Sequence, residues 1–355
     1  MALRGAAPGM GGLGPVMTIN RLVSAASSLA FAAVVALGAS SAQAQQTTYP
    51  LTIDNCGFDL TFDGPPERVV VYSLAVHNLL ALGLEDRILS GISLQYGDEL
   101  GVPWEAAHAE VPSQGVQAMS GGLISEEALL ALEPDFVYSP FFYYLNTDET
   151  ANRTTLMDFG IPAFLSPVEC RGQATASDGP ITFDTLFEEL RTLATIFDIR
   201  ETADPLIADW EARVAAVTES AADFSDVSIL WWYAGTDSPY VAGCCGTPGM
   251  IGAAIGAQNT YNDDPSVWPA GIWEVIADRD PDVIVLADLN RSDLGASAEE
   301  KIEFLRNDPV TSVMSAVQND RYIILPGSHL DTSILNVYTL EHVIDGLVEL
   351  GFGGQ

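Results

Sequence analysis

The sequence is poor in cations. Its 355 residues hold 14 lysines and arginines against 48 aspartates and glutamates, a net charge of −34. A surface of that sign repels phosphates and excludes nucleic-acid binding through phosphate neutralisation. The acids are scattered rather than blocked, so they read first as a solubilising surface suited to a saline habitat, and second as a field that favours a cationic ligand. Catalytic signatures are absent: no HExxH, GxSxG or CxxC occurs. Histidine is scarce, limited to His77, His108, His329 and His342, with no His-rich loop of the kind a zinc or manganese receptor would carry. The Gly243-Cys244-Cys245-Gly246-Thr247-Pro248-Gly249 stretch contains GxxG but lacks the Lys-Ser/Thr that meets a phosphate. Gly252-Ala253-Ala254-Ile255-Gly256 reads as a site of close helix packing. No cofactor is expected.

Beyond the N-terminus, no apolar run approaches the roughly 20 residues that a membrane span needs. The N-terminal segment itself reads as a cleaved leader. Arg21 precedes an apolar run from Leu29 to Leu37, and small residues follow to Ala42-Gln43-Ala44. This is an n-region, an h-region and an A-x-A site, with cleavage expected after Ala44 and translation starting at Met1 or Met17. The expected location is the periplasm, with no stable membrane insertion.

Cysteine is also sparse: Cys56, Cys170, Cys244 and Cys245. An even count in an exported chain suggests disulfides, and the two isolated residues, Cys56 and Cys170, are natural partners. For the adjacent pair three readings stand: a strained vicinal disulfide, two thiols, or soft metal ligands.

What is present is an alternation of strands and helices. Strand candidates in the first half are Val69–Tyr72, Ile88–Ile92, Phe136–Tyr138 and Ala163–Leu165. Asn78–Gly83 reads as a short helix ended by glycine, and Ser125–Leu132 as a capped helix stopped by Pro134. From Phe183 to about Ala222 the pattern is helical, with Pro205 inside it, so two helices or one kinked helix are expected. The second half repeats the α/β pattern. Its strands are Val227–Tyr233, Tyr240–Ala242, Val283–Ala287 and Tyr322–Leu325; its helices are Met250–Ile255, Ile272–Ala277 and Leu335–Leu350. The fold class expected is α/β: two Rossmann-like lobes joined by a long rigid helix, with a ligand cleft between them. The boundaries read as a leader over 1–44, a first lobe over 45–180, a connector over 181–222 and a second lobe over 223–355.

Three stretches carry a family resemblance: Pro66-Glu67-Arg68-Val69-Val70 with Leu80 to Ile88, Ser125 to Val137, and Glu274 to Val285. In that order and spacing they resemble the cobalamin, ferric-siderophore and haem class of periplasmic substrate-binding proteins of ABC importers. Asn55-Cys56-Gly57 with Cys170 resembles a cysteine-paired branch of that class. The resemblance implies a monomeric receptor that clamps a metal chelate between its lobes and delivers it to a permease dimer. It also implies one docking glutamate per lobe, at Glu127 and Glu274. Each lies near a helix start, where an acid also simply suits the helix dipole.

Ligands of open α/β sheets bind beyond the carboxyl ends of the strands. The residues expected there are Tyr72, His77, Tyr96, Met119, Phe142, Tyr143, Tyr144, Trp232, Tyr233, Trp268, Arg291 and His329. Of Trp231 and Trp232 at most one can face the cleft, because strand neighbours point to opposite faces. Arg153, Arg171 and Arg291 are the candidate cleft cations, too few to welcome a strongly anionic siderophore. Two other functions compete: a receptor for a free metal ion held by His77, His329 and carboxylates, and a metal-dependent enzyme on the same fold.

Overall fold

The structure, a computed structural model, describes residues 46–94, 101–112, 123–146, 152–170, 181–220, 224–289 and 297–353. The leader expected over 1–44 lies outside these residues. No helix among them is long and apolar enough to cross a membrane.

The described chain opens with a feature the sequence reading passed over, an antiparallel hairpin of β1 (Leu51–Asn55) and β2 (Phe58–Phe62). Cys56 and Gly57 both take positive φ, 60° and 81°, as a type I′ turn requires. The first lobe follows: β3 (Val69–Tyr72), α1 (Ala75–Ala81), β4 (Ile88–Ile92), α2 (Glu105–Ala109), α3 (Glu126–Ala131), β5 (Phe136–Ser139), α4 (Arg153–Asp158) and β6 (Ala163–Leu165). Its four strands form a parallel sheet in the order β4-β3-β5-β6. The Ser125 side chain caps α3 by accepting from the Ala128 amide.

Two helices then cross to the second lobe, α5 (Phe183–Ile196) and α6 (Arg200–Ser220). The break between them falls at Asp198, which takes φ 55°, while Pro205 is carried inside α6. The second lobe contains β7 (Ser228–Ala234), β8 (Tyr240–Val241), α7 (Thr247–Ile255), β9 (Gln258–Asn259), α8 (Trp273–Arg279), β10 (Val283–Asp288), α9 (Ala298–Asn307), α10 (Ser315–Gln318), β11 (Tyr322–Pro326) and α11 (Leu335–Glu349). Its sheet runs β11-β10-β7-β8, with β9 also on β7, and the β11-β10-β7 core is parallel.

The strands are buried on both faces, as parallel strands under helices must be. In β3, Val69 and Val71 enter one apolar cluster, and Val70 and Tyr72 another. In β7, Ile229 and Trp231 enter the first of these, and Leu230 and Trp232 a third. The shared cluster is continuous across both sheets. It takes in Leu186, Leu190 and Leu193 of α5, Ile207 and Trp210 of α6, and Leu340 and Val343 of α11.

Polar contacts inside this core fix the helices. Glu189 of α5 is enclosed; it accepts from Tyr138 Oη at 2.6 Å and from Ser166 Oγ at 2.7 Å. Asn78 donates to Tyr138 Oη at 2.7 Å and accepts from the Ile334 amide at 2.9 Å, tying the first lobe to the second. On the far side Arg213 of α6 grips Glu341 of α11 through two bonds of 2.9 and 2.7 Å. Arg153 is an interior fastener rather than a cleft cation. It is buried against the Phe58 ring and donates to the carbonyls of Ala163 and Asn55 and to the Asn55 side chain.

Burial pushes the Glu189 carboxyl up to about 7, against the hydrogen bonds from Tyr138 and Ser166. A carboxyl raised in the folded state holds its proton more tightly folded than unfolded. Its contribution is therefore full below about pH 4.5 and lost as pH rises through 7. At about 1.4 kcal/mol per unit this is a slope of up to about 3 kcal/mol. Urea unfolding should show Glu189→Gln at least as stable as the wild type at pH 8, with that advantage gone near pH 4.5. Parallel pH profiles for the two proteins would refute the assignment. Cys56 and Cys170 are joined, closing a separation of 114 residues with their Cα atoms 4.9 Å apart. Replacing both by serine should lower stability by about 2–5 kcal/mol in the same assay.

Candidate functional site

A cavity of about 590 Å³ opens between the two lobes. It lies beyond the carboxyl ends of β5, β6, β7 and β11, where ligands of open α/β sheets bind. From the first lobe it takes Pro140, Phe141, Phe142 and Tyr143 after β5, and Val168 and Glu169 after β6. Ile181, just before α5, closes one side. From the second lobe it takes Tyr233 at the end of β7, Gly246 and Thr247 at the start of α7, Val267 and Trp268, and Leu330, Asp331 and Thr332 after β11.

The aromatic walls differ in character. Phe142 and Tyr143 sit on a single helical turn and are 36% and 44% exposed. Opposite them the Tyr233 and Trp268 rings lie 5.1 Å apart. The backbone beneath Tyr233 is held by Lys301 of α9, a buried ammonium that donates to the carbonyls of Tyr233 and Ala287 at 2.5 Å each. Burial lowers the Lys301 pKa to about 8, opposed by Asp288. Its helix begins with a Ser297/Glu300 capping box, a signal present in the sequence and not read there.

Two carboxyls face the cavity. Burial raises Glu169, partly offset by the hydrogen bond it accepts from the Phe142 amide at 3.2 Å. Asp331 is pushed up to about 7, first by burial and then by neighbouring Glu169, with a hydrogen bond from Trp268 opposing. Neither acid is marked by a motif in the sequence.

The other expected residues are distributed as follows. Phe142, Tyr143, Tyr233 and Trp268 line the cavity. Tyr144 is buried behind it, its ring 4.1 Å from Tyr143 and 4.8 Å from Tyr72, itself fully enclosed. Trp231 and Trp232 are both fully buried and neither lines the cavity; Trp232 donates to the Ala234 and Gly235 carbonyls and packs on Trp273. His77 and His329 are interior. His77 Nδ1 accepts from Trp104 at 3.1 Å, and His329 Nδ1 lies 2.9 Å from Thr339 Oγ1. Burial, with His108 and then His329 nearby, holds the His77 imidazole well below its ordinary pKa. The two histidines approach each other in the core and not across the cleft. Tyr96, Met119, Arg171 and Arg291 lie outside the described residues. Among the described residues no three His, Cys, Asp or Glu side chains are grouped to hold a metal ion.

Cys244 and Cys245 are joined to each other, just ahead of the cavity-lining Gly246. The glycines here serve close packing. A Cβ on Gly243 would strike the Ser266 carbonyl, and one on Gly249 the Cys244 carbonyl. Glu127 and Glu274 are both exposed, in the first turns of α3 and α8.

The fold recurs in solved structures. One is an ABC-type Fe3+-hydroxamate transport system from Saccharomonospora viridis, 28% identical, with a TM-score of 0.69 over 84% of this chain and 99% of that one. Another is the petrobactin-binding protein YclQ of Bacillus subtilis, 16% identical, with a TM-score of 0.62 over 84% and 98% of the two chains. A third is the periplasmic Heme binding protein HutB of Vibrio cholerae, 18% identical, with a TM-score of 0.58 over 78% and 97%. No curated protein matches. The family described as periplasmic binding protein matches residues 69–328, which takes in both sheets and the helices between them, and the chain belongs to that family.

Proposed function

We propose that this protein is the periplasmic receptor of an ABC importer, exported by a cleaved leader, and that it captures a metal chelate in the cavity between its lobes. The observation that carries this reading is the cavity itself. Its volume of about 590 Å³ and its walls of Phe141, Phe142, Tyr143, Tyr233 and Trp268 suit a large ligand with apolar faces. The solved relative at 28% identity, a Fe3+-hydroxamate system, supports a ferric siderophore; haem and cobalamin are the other chelates that the resemblance implies. Capture of a free metal ion is less well supported, because His77 and His329 are engaged with Trp104 and Thr339 in the interior. An enzymatic role is less well supported, because the family that matches is described as periplasmic binding protein.

Native mass spectrometry of protein purified from its own periplasm should show a bound mass with the isotope pattern of a metal. Titrating the emptied protein with ferrioxamine B, haem and cyanocobalamin should quench tryptophan fluorescence for at least one of them. Trp268→Ala should weaken that binding by about tenfold or more, in line with loss of a buried aromatic contact. A protein that carries no small molecule and responds to none of the three is not a chelate receptor.

Delivery is the second half of the reading. A carboxylate on each lobe, Glu127 and Glu274, offers charge-assisted hydrogen bonds to arginines of a permease dimer. Replacing both by arginine should abolish uptake in cells while leaving the dissociation constant of the purified receptor within about twofold, since neither residue lines the cavity. Unimpaired uptake would remove the docking role.

A further inference from the structure

The cavity of a chelate receptor has to match the charge of its cargo as well as its shape. Among the described residues that line it there are two carboxyls, Glu169 and Asp331, and no lysine, arginine or histidine. They come from opposite lobes. Glu169 follows β6 and is anchored by the Cys56–Cys170 bridge one residue later. Asp331 follows β11; its carbonyl accepts from Asn336 at 2.9 Å, and its carboxyl meets Trp268. Two acids from opposite lobes therefore face one cavity.

We propose that the cargo carries a positively charged group, an ammonium or a net-cationic chelate face, seated between Glu169 and Asp331 against the rings of Tyr233 and Trp268. This rests on the receptor reading above and specifies the class of chelate within it.

Three observations support the assignment. The first is desolvation. A carboxylate removed from water without a counter-charge is costly, and both groups show that cost as a raised proton affinity. A cation delivered by the ligand relieves it. The second is the aromatic pair. Tyr233 and Trp268, with ring centres 5.1 Å apart, line the same cavity as the acids, and a cation over an aromatic face gains further attraction. The third is the long-range field. A chain with net charge −34 concentrates cations and repels anions at its surface. One feature opposes these: the start of α7, at Gly246 and Thr247, brings roughly half a positive charge to the same wall. The two acids, once ionised, outweigh it. An anionic tris-catecholate would meet both.

The test uses one chelate in two charge states. Ferrioxamine B is a ferric trihydroxamate with a free ammonium tail, and N-acetylation of that tail leaves a neutral complex of nearly the same shape. At pH 8, fluorescence titration should give at least tenfold tighter binding of the ammonium form. In Glu169→Gln/Asp331→Asn that preference should fall to within about twofold, with the circular-dichroism melt checking that the double variant is folded. The wild-type preference should weaken at pH 5, where Asp331 is protonated. The titratable groups facing the cavity are Glu169, Asp331, Tyr143 and Tyr233, and Asp331, pushed up to about 7, loses its charge between pH 8 and 5. Equal or tighter binding of the acetylated complex overturns the inference while leaving the receptor function standing. So does haem binding with neither ferrioxamine bound, because haem presents carboxylates. If ferrioxamine B, haem and cyanocobalamin all fail to bind, the receptor reading fails and this inference falls with it.

Discussion

The structure depends on a sorting of side chains by strand parity. Each central strand buries both faces, and alternate residues go to different clusters: Val69 and Val71 one way and Val70 and Tyr72 the other, Trp231 one way and Trp232 the other. Odd-numbered positions of β3, β7 and β10 all feed the cluster that runs through α5, α6 and α11. One core thus belongs to both sheets. Register cannot slip in either lobe without turning a large aromatic into the wrong cluster.

An apolar core of that kind does not by itself fix helix positions, and buried polar groups supply the specificity. Glu189 reads the phenol of Tyr138 and the hydroxyl of Ser166, and Asn78 extends the chain of bonds to the Ile334 amide. Arg153 pins the hairpin by taking the Asn55 and Ala163 carbonyls. Lys301 does the same for the last residues of β7 and β10. Each group would be costly if one partner were lost, so each holds its segment in a single place. These fasteners lie between elements, and Lys301 holds the backbone of the cavity-lining Tyr233.

Most of the fold was legible in the sequence because period and punctuation carry it. The strands from Val69, Ile88, Ala163 and Val283 begin where the β-branched runs begin, and Ser125 caps the helix that its position announced. The hairpin Leu51–Phe62 was missed because its turn signal, Cys56-Gly57, reads more readily as half of a disulfide. Two helices or one kinked helix were expected over this stretch; two form, and they part at the left-handed Asp198 rather than at Pro205. The site was legible only in part. Position in the chain located the aromatic segments, but parity decides which rings look into the cleft, and parity follows from burial. Tyr72, His77, Trp232 and His329 were expected in the cleft because they stand at strand ends; the shared core and its flanking clusters claim them instead. Glu169 and Asp331 carried no motif. Their interest arises from their meeting across two lobes, which no local pattern records.

The two walls of the cavity are built to different standards, and this bears on how a ligand is held. Tyr233 stands on a strand whose carbonyl is clamped by Lys301, and Trp268 lies against it and reaches Asp331. Phe142 and Tyr143 stand on one helical turn, half open to solvent, with the Phe142 amide tied to Glu169. The second lobe therefore offers a fixed face that can set ligand orientation, and the first a set of rings that gains burial only when something fills the gap. Covering Phe142 and Tyr143 is worth about 25 cal/mol for each Å² of apolar surface removed from water. A ligand that touches only one wall forgoes that term, so selection for size arises from the asymmetry of the walls and selection for charge from the two acids between them.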